Sequence, residues 1–251
     1  MKKIKILFVG ESWMIHTMET KGFDVFTFDR YEVGTQWIKP ALSTPDIEFH
    51  HLPCHLVDSE FPKTLDELRQ YDVVMFSDVG ANTFNLPMST FLQLQTTPNK
   101  LDMVRDFVQG GGGFAMIGGY LTFQGIQARG AYKNTAIETL LPVELLCHDD
   151  RAEQPQGIHP TPMLPDHAIL RGIPDGEWPL LLGYNKTIPK PQADVVAALG
   201  DDPMIVVMDY GKGRVCAYTT DCAPHWASPA FCQWEGYAIL WRNLARWLAR
   251  Q

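Results

Sequence analysis

Residues 110–120 read GGGGFAMIGGY, from Gly110 to Tyr120. A glycine run is followed by a short apolar stretch, and a glycine pair then turns the chain. A dinucleotide fingerprint follows a strand and opens a helix, whereas this run precedes a strand. It reads instead as a helix C-cap and a point of close backbone crossing. Upstream, Asn99–Gly113 carries Leu101, Val104, Phe107 and Val108 at helical spacing and ends in glycine. Helix, buried strand and tight bend form the unit of an α/β protein. Enzymes of that class often carry a nucleophile on such a bend, but Gly118 and Gly119 stand here without Ser or Cys.

The same alternation extends outward. Strand-like runs are Ile4–Gly10, Asp24–Asp29, Ile47–Leu52, Asp72–Gly80, Gly113–Gly119, Val143–His148, Val195–Gly200, Met204–Tyr210 and Arg214–Asp221. The continuously apolar ones suit strands covered on both faces. Thr64 with Glu67 three residues on forms a capping box for one helix. Trp234, Tyr237, Trp241, Leu244 and Leu248 recur every three or four residues, which predicts an amphipathic closing helix with its tryptophans in the core. Strands alternating with helices predict a mostly parallel sheet with helices on both faces. Tyr210-Gly211-Lys212-Gly213 between two strand runs predicts an antiparallel hairpin near the C-terminus. The proline-rich stretch from Pro155 to Pro191 reads as excursions from one domain spanning 1–251, not as a linker.

Composition narrows the function classes. The chain has 251 residues, 45% hydrophobic and 20% charged, which supports a full core. A net charge of −8 disfavours nucleic acid or an anionic membrane as partner. No apolar run is long enough to span a bilayer. The opening MKKIKILFVGESW reads as a first buried strand rather than a signal peptide, because Glu11 closely follows its short apolar run. Five cysteines (Cys54, Cys147, Cys216, Cys222 and Cys232) at irregular spacing make no disulfide framework, and a cytoplasmic location is expected. Aromatic residues beyond the obvious core point to a homo-oligomer.

In parallel sheets, ligands sit at the C-terminal ends of the strands. Those ends carry Glu11, Ser12 and Trp13; Ser77 and Asp78; Gly118, Gly119 and Tyr120; and Asp221, Cys222, His225 and Trp226. Glu11, Asp221 and His225 are the candidate catalytic groups, having general acid/base character. Ser12, Trp13, Asp78, Gly118, Gly119, Tyr120 and Trp226 are the candidate ligand-binding residues. Local roles compete: Asp221 could cap a turn, His225 could be a satisfied loop histidine, and Ser77-Asp78 could start a helix. His50, His51, Cys54 and His55 have ligand-type side chains, but strand alternation sends His50 and His51 to opposite faces, so no metal site is expected. Cys222 is a second possible nucleophile, with a buried inert thiol as the plainer reading. No cofactor is expected.

The order of helix, glycine run, apolar strand and bend resembles the class I glutamine amidotransferases. In that family the bend reads Gly-Ile-Cys-x-Gly and the Cys attacks glutamine. Gly118 falls where the Cys would stand, and Asp221–His225 matches the family's His-Pro-Glu motif by position only. YDVVMFSDVGANT (71–83), MIGGYLTFQG (116–125), LLGYN (181–185) and TTDCAPHW (219–226) resemble a branch of that superfamily related to trehalose-utilisation-type domains, nearly end to end. The resemblance implies a flavodoxin-like, class I amidotransferase-like fold and, without the thiol, no thioester chemistry at Gly118. A glycine there is expected to open space and to offer backbone N–H groups to a ligand oxygen. Three functions stay open: a pocket that binds or transforms a small polar, possibly sugar-like molecule; a non-catalytic structural or regulatory domain; and a glutamine hydrolase using Cys222.

Overall fold

The computed structural model describes residues 3–251. Its strands are β1 (Ile4–Gly10), β2 (Ser12–Lys21), β3 (Asp24–Val33), β4 (Ile47–Leu52), β5 (Val73–Ser77), β6 (Gly113–Ile117), β7 (Val143–Leu145), β8 (Arg151–Ile158), β9 (Thr161–Pro162), β10 (Leu181–Asn185), β11 (Thr187–Pro189), β12 (Asp194–Leu199), β13 (Asp202–Tyr210) and β14 (Gly213–Tyr218). Eight of them form one sheet in the order β4-β1-β5-β6-β14-β13-β12-β9. The first five are mutually parallel. In chain order those five run 2-1-3-4-5, the flavodoxin-like arrangement. The other three add on antiparallel through the hairpin expected at Tyr210–Gly213, whose register runs from Ile205 opposite Tyr218 to Tyr210 opposite Gly213.

Alternation along the strands builds two cores. Ile4, Ile6 and Phe8 of β1 face one side with Leu240, Trp241, Leu244 and Leu248 of the closing helix Glu235–Leu248. Leu7 and Val9 face the other, with Leu101, Val104, Phe107 and Val108 of the helix Lys100–Gln109. The Asn99 side chain caps that helix by accepting the Leu101 and Asp102 N–H groups, and Gly110 ends it. Thr64 caps its own short helix by accepting from Glu67 N. The glycine run is a crossing as well as a stop. A Cβ on Gly112 would enter the Phe107 ring, and one on Gly113 would meet Leu248.

One expectation is corrected here. Asp24–Asp29 is not a strand of the main sheet. It lies in β3, which pairs with β2 over ten residues from Ser12 opposite Val33 to Lys21 opposite Asp24. The two form a separate ribbon turning at Gly22 (φ 65°) and Phe23. Lys21-Gly22 is the turn signal, and the alternation of Ile15, Thr17 and Glu19 against Met14, His16 and Met18 is strand-like on both sides of it. Too few of these residues are apolar in succession for a doubly covered strand, so the segment stays outside the sheet. Val143–His148 also shrinks, to Val143–Leu145 in a two-stranded pairing with β11.

Candidate functional site

In a 2-1-3-4-5 sheet the connection from β1 runs outward to β4 and the one from β4 crosses back to β5, and a crevice opens at the C-terminal ends of β1 and β5. Gly10 pairs with Ser77 at that edge. A Cβ on Gly10 (φ 113°) would collide with the Ser77 carbonyl, so glycine is what lets the two strand ends close together. The next residues, Glu11 (φ 46°) and Asp78 (φ 45°), both occupy the left-handed region without being glycine. Two such residues side by side at adjacent strand ends mark local backbone strain held by the surrounding fold.

Glu11 is 2% exposed. Ser77 Oγ donates to its Oε1 at 2.6 Å, and Cys222 Sγ approaches the same oxygen at 3.8 Å. A Cβ on Gly34 would strike Glu11 Oε2 and crowd the Trp13 ring, so Gly34 makes room for the carboxyl group and the indole together. Burial, with the negative charges of Asp221 and Asp78, holds the Glu11 carboxyl well above the ordinary carboxylate range. Asp78 is raised for the same reasons, burial first and Asp221 second, to about 6. Its Oδ1 accepts the Leu121 N–H at 2.8 Å, so it caps no helix; the next helix, Asn82–Asn85, starts after Ala81.

Asp221 is 4% exposed and stands across the cleft. Its Oδ1 accepts the Ala223 N–H at 3.0 Å and its Oδ2 lies 3.2 Å from His225 Nδ1. Burial pulls the His225 pKa down, but the hydrogen bond to Asp221 and its charge outweigh this and raise it. The histidine sits on the rim, its side chain 36% exposed. Tyr120 meets it edge-on at 4.1 Å, and Trp226 stacks behind it at 5.2 Å. Trp226 is itself buried, with Nε1 donating to Glu153 Oε2 at 3.0 Å. Arg151 covers the Tyr120 ring at 4.9 Å. Glu11, Asp78, Asp221 and His225 are thus gathered in one place, with Tyr120 on the rim beside His225 and Trp13 beside Glu11. Ser12 faces inward, its Oγ accepting the Cys54 N–H at 2.8 Å, and Trp226 is a supporting wall rather than an open platform.

The bend itself corrects the sequence reading. A Cβ on Gly118 would collide with the Thr219 carbonyl and lie 2.8 Å from Asn185 Oδ1. Gly118 is therefore a packing glycine, and no space opens at it. Nor are its amides free: Gly118 N donates to Tyr218 O at 2.7 Å and Gly119 N to Asn185 Oδ1 at 3.0 Å. The expected pair of N–H donors for a ligand oxygen is consumed within the fold. Asn185, fully buried, also donates to Gly119 O and to Asp150 Oδ1, while Asp150 accepts the Gln124 and Gly125 N–H groups. Sequence reasoning passed over Asn185, Asp150 and Gly34. Asn185 lies in LLGYN, whose only signal is the family resemblance, and nothing in the sequence marks the other two.

Among the described residues, one group of His, Cys, Asp and Glu is close enough to hold a metal: Glu11, Asp221 and Cys222, with ligand atoms within 4.8 Å of one another. A structural zinc takes four donors. Burial, with Glu11 and Asp221 nearby, pushes the Cys222 thiol well above its usual range, which keeps it protonated and non-nucleophilic. The histidine-rich stretch scatters: His50 bonds Glu48, His51 bonds the Gly10 carbonyl at 2.8 Å, and His55 packs against Tyr31.

A flavodoxin-like sheet carrying an acid cluster at its switch point, with glycine at the bend, defines a class I amidotransferase-like α/β protein. The chain belongs to the family described as "Putative glutamine amidotransferase", whose profile matches residues 5–250. It is similar to Cytoplasmic Protein STM3548 from Salmonella typhimurium, with 42% identity over 98% of this chain and 99% of that one and a TM-score of 0.94. It is similar also to Cytoplasmic Protein STM1381 from Salmonella typhimurium LT2, with 45% identity, the same coverage and a TM-score of 0.93. A ThuA-like protein from Bacteroides uniformis shares the fold at 12% identity, covering 98% of this chain and 91% of that one, with a TM-score of 0.58. A comparison with curated proteins gives no match. No helix among the described residues is long and apolar enough to cross a membrane.

Proposed function

We propose that the chain is a cytoplasmic protein that binds a small polar, hydroxyl-bearing molecule in the crevice between β1, β5 and the Asp221–Trp226 loop, and moves a proton on it. The observation that carries this reading is the convergence of Glu11, Asp78, Asp221 and His225 behind two strained strand ends. Glu11, kept neutral by burial and like charge, is the proton donor. His225, oriented by Asp221, is the exchange partner at the rim, and Asp78 titrates close enough to neutrality to receive a hydrogen bond or a proton. Trp13 and Tyr120 supply the apolar edges, and Trp226 holds Tyr120 and His225 in place.

Glutamine hydrolysis has little support. Gly118 has no room for a thiol, and Cys222 is fully buried with a raised pKa and no basic partner. A bracing role has one observation in its favour: Ser12, Asp78 and Asp221 each accept a backbone N–H. The test is a thermal-shift screen of polyols, sugars and sugar acids against wild type and Glu11→Gln, paired with an ammonia-release assay on glutamine. A ligand that stabilises wild type and not the variant supports the proposal. A ligand set indifferent to Glu11→Gln and to His225→Ala favours bracing. Ammonia release lost in Cys222→Ala would restore the hydrolase.

A further inference from the structure

The ribbon of β2 and β3 has no covering on either face. Trp13, Met18, Phe23, Val25, Phe26 and Phe28 are 38–106% exposed. It meets the body near its base, where Tyr31 meets His55 edge-on at 5.1 Å and Ser12 accepts the Cys54 N–H. An isolated two-stranded ribbon is marginal in water. Its charges also close on themselves: His16 with Asp29, Lys21 with Glu19, Arg30 with Glu32. No cationic face remains for nucleic acid or an anionic bilayer, and the free surface is apolar.

A second exposed apolar surface follows the neighbouring strand at the same, C-terminal end of the sheet. The stretch from Val79 to Asn99, which follows β5, contains no charged residue. Its helix Met88–Gln93 buries no residue, and Leu86, Met88, Phe91, Leu92 and Leu94 are 46–88% exposed. Two exposed apolar surfaces on one chain, one uncharged and the other with ion pairs closed within itself, fit a self-complementary contact. We propose that this protein is a two-fold dimer in which the Ser12–Val33 ribbon of each copy lies on the Leu86–Leu94 shelf of the other.

A second copy is the occupant because the ribbon needs cover whenever the chain is folded, and only another copy is then always present. The area is sufficient. Residues 12–33 as an extended chain have about 3,900 Å² of accessible surface, of which roughly half faces solvent here. Covering half of that removes about 1,000 Å² per copy, comparable to the roughly 800 Å² per partner of a specific interface.

The test is sedimentation velocity on the full chain at tens of micromolar, with Met18→Asp/Phe26→Asp on the ribbon and Phe91→Asp/Leu94→Asp on the shelf. Wild type is expected at twice the 28.3 kDa chain mass, and each variant at the monomer. Mixing the two variants is expected to recover a weaker dimer, since one intact ribbon then meets one intact shelf. Hydrogen exchange of residues 12–33 in wild type is expected to slow as concentration rises, a readout that no variant's folding affects. A monomeric wild type would overturn the proposal, as would folded variants that stay dimeric or ribbon exchange indifferent to concentration.

Discussion

Asp78→Asn isolates the electrostatics of the cleft. Asparagine tolerates the left-handed backbone at φ 45° better than any other side chain of this shape, and it keeps a carbonyl oxygen to accept the Leu121 N–H. The substitution therefore removes a titration and little else. In the folded protein Asp78 holds its proton up to about pH 6, against 3.8 ordinarily. Between those values the folded state binds a proton that the unfolded chain has released, so wild-type stability falls as pH rises through that window. At about 1.4 kcal/mol per unit, the whole effect is about 3 kcal/mol at most, reduced by coupling to Glu11 and Asp221. Urea unfolding at steps from pH 4 to pH 7.5 reads it directly. The variant should roughly match wild type at pH 4 and exceed it by about 1–3 kcal/mol above pH 6. If the two curves stay parallel across the window, burial and Asp221 do not raise this carboxyl and the electrostatic account of the cleft is wrong.

Three further outcomes follow from the geometry. Gly118→Cys should not create a glutaminase; it should cost about 3 kcal/mol or more, because the new Cβ meets backbone at Thr219, and ammonia release from a stably folded variant would refute this. Asn185→Ala should cost about 3 kcal/mol by leaving the Gly119 N–H and Asp150 short of partners, measured by denaturation; a loss below 1 kcal/mol would deny the brace. In Asp221→Asn the His225 ring should titrate at lower pH by NMR. The stability this pair contributes, present below the ordinary histidine pKa and lost as pH rises through the raised one, should vanish with it; an unmoved midpoint would exclude Asp221 as the cause.

The sheet was legible because its strands are doubly covered and its helices carry their own stops, as in Val73–Ser77 and Asn99–Gly110. The closing helix announced itself by tryptophan and leucine spacing. The ribbon was not legible as a ribbon: its strands alternate mildly, and sequence spacing does not say whether a strand joins the sheet or leaves it. The acid cluster was legible by a positional rule, since Glu11 and Asp78 directly follow strands and Asp221 lies in the loop after another. What that rule cannot supply is the direction of a side chain or the engagement of an amide. Gly118 illustrates the limit, because a glycine that makes room and a glycine that fills it are written with the same letter.

The ribbon begins and ends at the acid. Its first strand starts one residue after Glu11, and its second returns to Gly34, whose N–H donates to the Glu11 carbonyl at 2.8 Å and whose missing Cβ is the space beside the Glu11 carboxyl. Ten residues of strand reach about 33 Å from that fulcrum. The ribbon is thus a lever with its short arm in the cleft: a 3 Å displacement of the tip turns the base by roughly 5°. A load on the far end therefore has its fulcrum at Gly34, in the space beside the Glu11 carboxyl.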